Sequence, residues 1–114
     1  RAENTYISKM EKSGMDATLH LMSREKIFAS NKLAIDLQQN MLASIKSKYN
    51  GVKDGGVRSG PFWVLVGAEM PAVLIEVGFI SHPAEAVRMV NHRYQQKQAL
   101  GIANGVDRYF AKNP

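Results

Sequence analysis

The sequence has no cysteine, which excludes disulfides and thiolate metal sites, although that absence does not by itself choose a compartment. It has no apolar run approaching the roughly 20 residues that a membrane-spanning helix needs, so no membrane span is expected. There is no initiating Met, and behind Arg1 there is no charged stub followed by an apolar core. The start therefore reads as a processed or cut end and not as a signal peptide. The three histidines, His20, His82 and His92, fall at none of the HxH, HxxxH or HExxH spacings, so no local metal site is legible. Aromatic-and-basic clusters are missing too: the 15 Lys and Arg residues, set against 10 Asp and Glu, are spread along the chain. The net charge of +5 and pI of about 9.6 suit an anionic partner such as nucleic acid, a lipid surface or an acidic wall polymer, or simply a solvated surface. With no stacking motif, nucleic acid is not an expected partner.

What is present is a globular composition. The 114 residues are 45% hydrophobic, and the length fits one domain. From Arg1 to Met22 the pattern is weak, with Tyr6, Ile7 and Met10 suggesting a helical turn or two before Ser13-Gly14. Ser23 is then a good N-cap with Glu25 in the first turn. Ile27, Ala34, Leu37, Met41 and Ile45 follow at helical spacing, flanked by Phe28, Ile35 and Leu42, and Asn50-Gly51 is a C-terminal stop. The spacing predicts a long amphipathic helix over 24–49 that rests on something broad.

"GVKDGGVRSGP" reads as a loop. Two short strands follow, Phe62 to Val66 and Ala72 to Phe79, apolar on both faces as strands covered on both sides of a sheet are. Pro83 fits the first position of a further helix with Glu85 in its first turn, His82 standing where the N-cap belongs. A last helix carries Ala99, Ile102, Ala103, Val106 and Phe110 on one face. With Phe62, Trp63, Val64 and Leu65, the Glu76 strand and the apolar face of the long helix make up the expected core. Two doubly buried strands cannot by themselves serve three helices, because an isolated strand pair is marginal. The chain is therefore expected to be the C-terminal half of a larger α/β domain.

One residue breaks the apolar run "PAVLIEVGFISHP". Alternation puts Ala72, Leu74, Glu76 and Gly78 on one face of the second strand and Val73, Ile75, Val77 and Phe79 on the other. An unpaired buried carboxylate costs several kcal/mol, so Glu76 calls for a reason. Apolar neighbours would desolvate it and raise its pKa, as a general base or acid near neutral pH requires. The alternative is a structural ion pair with Arg58, Arg88 or Lys53. The histidines read as a cap or as surface residues, and Trp63 and the methionines as core.

The blocks "SNKLAIDLQQNML", "GGVRSGPFWVLVGAEMPAVLIEVGFISHPAEAVRMV" and "YQQKQALGIANGVDRYF" together resemble the C-terminal half of the zinc-dependent N-acetylmuramoyl-L-alanine amidases, which cut the bond between the glycan strand of the cell wall and its stem peptide. The resemblance runs from about Ser30 to Phe110, its specific part being the middle block, and Glu3-Asn4 is also similar. It implies an α/β fold, namely the C-terminal half of a three-layer domain with a mixed, roughly six-stranded sheet and helices on both faces. Residues 1–22 would form a connector and 23–114 a helix-strand-strand-helix portion.

The resemblance further implies a zinc held by His, Glu and His, with a second Glu, matching Glu76, serving as base and then acid. The family's three zinc ligands lie upstream of "EN", and this chain contains none of their motifs. The zinc would be supplied by an N-terminal half present as a separate or cleaved segment, and the chain alone would be inactive. His82 stands where the family usually has Asn, a better N-cap. Some relatives carry an inhibitory helix in the interval that Thr5 to Met22 occupies here, where a reduced connector and a plug both remain open. Peptidoglycan and an activator protein are the implied partners, in the periplasm or outside the cell. Outside the resemblance two other readings stand: a non-catalytic basic module that binds anionic wall polymer, and a degenerate relative that regulates an active enzyme.

Overall fold

The computed structural model describes residues 24–60, 63–65 and 67–114. Two long helices make its framework: α1, Arg24–Lys46, and α3, His92–Lys112, with the short α2, Pro83–Met89, just before α3. On α1, Leu37, Met41 and Ile45 recur every four residues and all three are buried, as one stripe of a helix dictates. Glu25 lies in its first turn and Lys46 in its last, each complementing the helix dipole. The helix stops at Lys46, three residues before the predicted end. The amides of Lys48 and Tyr49 both turn back onto the Ile45 carbonyl, and Gly51 takes the left-handed φ of 74° that favours glycine. The predicted Ser23 cap and the connector 1–22 lie outside the described residues.

The face of α3 that packs on α1 is Tyr94, Gln98, Gly101, Gly105 and Tyr109. This corrects the sequence expectation. Ala99 and Ala103 are exposed, Ile102 and Val106 are half-buried, and Phe110 is 62% exposed. The glycines explain the rotation. A Cβ on Gly101 would lie 2.5 Å from the Met41 Cα, and one on Gly105 would lie 2.7 Å from the Leu37 Cα. The two backbones touch where side chains are missing, and this close approach wins over a wider apolar stripe further round the helix.

The helices run antiparallel. Ser44 donates from Oγ to the Lys97 carbonyl at 2.6 Å, and the Tyr49 and Tyr94 rings meet edge to face at 5.1 Å. At the other end Lys112 Nζ lies 2.6 Å from Asp36 Oδ1. Asp36 is the most buried polar residue described, 1% exposed, and its second carboxylate oxygen has no hydrogen-bond partner. Lys112 is half exposed and can turn to water, whereas Asp36 cannot. Lys112→Met should therefore cost about 1–2 kcal/mol in denaturant unfolding, somewhat less than the ~3–5 kcal/mol of a fully buried pair. Asp36→Asn should cost less, because it leaves a neutral amide and no uncompensated charge. The reverse order would show that Lys112 does not compensate this carboxylate.

Among the described residues the expected sheet is not formed. The described residues hold three α-helices and one 3-10 turn, Trp63–Leu65, and no strand. The architecture is thus helical, in place of the anticipated half of a six-stranded α/β domain. Residues 71–79 carry no regular secondary structure, and among the described residues no backbone offers them a ladder; a strand exists only by pairing. The predicted core shifts accordingly: Val64, Leu74, Val77 and Phe79 are exposed, as are Ile27, Phe28 and Ile35 on α1. Phe62 and Val66 lie outside the described residues. No helix among the described residues is long and apolar enough to cross a membrane.

Candidate functional site

The segment that carries Glu76 has no regular secondary structure and is tied to the helices by side chains. Where it begins, the Ala72 amide donates to Ser30 Oγ of α1 at 3.0 Å. Next to Glu76, the Val77 carbonyl accepts from Gln98 Nε2 of α3 at 3.3 Å. Where it ends, the Phe79 amide donates to Glu85 Oε2 of α2 at 3.0 Å. All three helices therefore contribute to its course.

The sequence "GFISHPAE" builds the last of these ties. The His82 amide closes a turn onto the Phe79 carbonyl at 3.1 Å. Pro83 starts α2 without a wasted donor, and the His82 ring, as N-cap, accepts from the Glu85 amide at Nδ1, 3.3 Å. Glu85 occupies the third helical position, from which a capping-box carboxylate reaches back over the helix start. Here it reaches the Phe79 amide. Gly78 has a φ of 156°, and a Cβ there would lie 3.3 Å from Met89 Sδ, so the segment passes α2 where a side chain would be both crowded and strained.

Glu76 itself is exposed, so the desolvation expected from its apolar neighbours does not apply to it. It is engaged in at least one polar or electrostatic contact. Its sequence neighbours Leu74, Val77, Phe79 and Ile80 are exposed as well. Glycine- and polar-rich residues 51–60 form a separate irregular segment. There Asp54 accepts from Gln38 Nε2 at 2.7 Å and from the Gly56 amide at 2.8 Å. The Gln38 bond first, then the Gly56 amide and the Lys46 charge, hold its carboxyl below the usual range.

Among the described residues no three His, Cys, Asp or Glu side chains could hold a metal ion. His82 is occupied in its cap, His92 is the exposed first residue of α3, and His20 lies outside the described residues. The described residues do not by themselves fit a zinc site. The sequence singled out Glu76 as the site residue and read His82 and Glu85 as the start of the next helix, where the structure places them as its N-cap and third residue. Ser30 and Gln98, which tie that stretch to the long helices, carry no local signal, since their partners stand 42 and 21 residues away.

The family model for N-acetylmuramoyl-L-alanine amidase matches residues 4–108. The chain is 37% identical over 81 residues to the uncharacterized protein YqiI of Bacillus subtilis, covering 71% of this chain and 37% of that one. It is 38% identical over 63 residues to the putative N-acetylmuramoyl-L-alanine amidase YrvJ of the same organism, covering 55% of this chain and 12% of YrvJ. With the N-acetylmuramoyl-L-alanine amidase LytC, also of Bacillus subtilis, it shares 31% identity over 81 residues, covering 71% of this chain and 15% of LytC. The chain thus spans little more than a third of the first of these relatives and far less of the other two. No solved structure matches it.

Proposed function

The chain belongs to the N-acetylmuramoyl-L-alanine amidase family, and from that premise we propose that it is part of a peptidoglycan hydrolase that cleaves the amide between N-acetylmuramic acid and the L-alanine of the stem peptide. The match across residues 4–108 carries this reading. Glu76 is the residue through which this part of the protein acts. Its carboxylate takes a proton from the attacking water and returns it to the alanine nitrogen as the C–N bond breaks. Two observations support that role: Glu76 is exposed and so open to a substrate, and the backbone just beyond it is tied to two separate helices. Zinc is the proposed cofactor, its ligands lying in the remainder of the protein, which would also cover the apolar side chains around Glu76. A wall substrate locates the reaction in the periplasm or at the cell exterior.

The test is a product analysis on purified peptidoglycan with the full-length protein. An amidase liberates alanine amino groups and creates no new reducing ends on the glycan. Chelation should stop the release and added zinc should restore it. New reducing ends, or salt-sensitive binding to the wall with no release of amines, would refute the reading, the latter in favour of a basic binding module.

A further inference from the structure

Gln98 is the polar exception on the face of α3 that meets α1. It is 8% exposed and lies between Tyr94 and Gly101 on the same stripe, where an aliphatic side chain would fill the space with no amide to satisfy. The use the molecule makes of that amide is a bond to the carbonyl of Val77, the residue after Glu76. Glu85 repeats the arrangement from the other helix. Its carboxylate accepts from the Phe79 amide, and its own amide is fixed by His82. Among the described residues this segment pairs with no strand, and these side chains tie its backbone just past Glu76.

From this geometry we infer that Gln98 and Glu85 are positioning residues for the Glu76 carboxylate, holding the backbone just beyond it from two different helices. The inference rests on the reading of Glu76 as the proton carrier. Misplacement of a reacting group by about 1 Å can cost on the order of 10²-fold in rate, and loss of one of two ties should misplace it by less.

Kinetics of the full-length protein on peptidoglycan test this. Gln98→Leu fills the buried site with an apolar side chain of similar size and removes the donor. It should lower kcat by roughly 10-fold with KM within about twofold of wild type, an effect inside the range a misplaced group produces. Hydrogen exchange over residues 72–79 should rise while the thermal midpoint is kept. Glu85 provides a second arm that does not disturb the helix pair. Glu85→Met removes the acceptor and should lower kcat in the same way, whereas Glu85→Gln removes only the charge, keeps an acceptor oxygen and should stay near wild type. If Gln98→Leu does not fold, the Glu85 pair decides. Wild-type kcat in the folded Gln98→Leu and Glu85→Met proteins, with Glu76→Gln inactive, overturns the inference and leaves the role of Glu76 standing. An active Glu76→Gln protein overturns both.

Discussion

Glu76→Gln should lower the amidase rate of the full-length protein by on the order of 10²- to 10⁴-fold, the usual contribution of a positioned acid–base group. In activation free energy that is about 3–5.5 kcal/mol. The carboxamide has the shape of the carboxylate and still makes hydrogen bonds, but it cannot take a proton from water and pass it on. Because Glu76 is exposed, the change should leave stability within about 0.5 kcal/mol, as surface substitutions generally do. Rate and stability therefore part company if Glu76 carries protons. They move together, with a small rate effect and a shifted unfolding midpoint, if Glu76 only anchors a cation such as Arg58, Arg88 or Lys53. Initial rates and denaturant unfolding of the two proteins side by side decide the matter, and a rate within about threefold of wild type would sink the acid–base assignment.

The legible parts of the molecule are those that local chemistry decides. The four-residue recurrence of Leu37, Met41 and Ile45 located α1 and its buried stripe. The Pro83–Glu85 pattern located the start of α2, with His82 as its cap. The strands were misread because an apolar, β-branched run measures fitness for a sheet, whereas a strand is a pairing between distant segments. Glu76 was singled out by its contrast with its neighbours, and its burial was then inferred from them. Residues 71–79 form no strand here and Glu76 is exposed, so that second step failed. Ser30 and Gln98 were invisible for a related reason: their partners are backbone atoms whose position only the folded chain defines.

The buried face of α3 is the other misreading, and it leads to the largest stability effect we expect. Hydrophobic periodicity gives glycine no weight, so the stripe of Ala99, Ile102, Ala103, Val106 and Phe110 looked like the core. In the structure Gly101 and Gly105 lie so close to the α1 backbone that neither has room for a Cβ. Gly101→Ala sets two terms against each other. Alanine favours the helix over glycine by about 1 kcal/mol, which would stabilise the protein if α3 stood alone. Against it, the new methyl would sit 2.5 Å from the Met41 Cα and 3.0 Å from both the Asn40 carbonyl oxygen and the Met41 nitrogen. These are backbone atoms that no rotamer change can move aside. The helices would have to separate, loosening Leu37, Met41 and Ile45 from Tyr94 and Tyr109, and overpacking of this kind costs about 1–3 kcal/mol even where side chains can give way. We expect the clash to win, with a net loss of about 2 kcal/mol in denaturant unfolding, while Ala103→Gly on the exposed side of α3 should lose about 1 kcal/mol from propensity alone. Gly105→Ala should behave like Gly101→Ala, because its methyl would meet the Leu37 Cα at 2.7 Å. The double variant should fall short of the sum, since a separation that admits one methyl already makes room for its neighbour one turn away. Stabilisation by Gly101→Ala would mean that the two helices do not approach as closely in solution as the glycine contacts require.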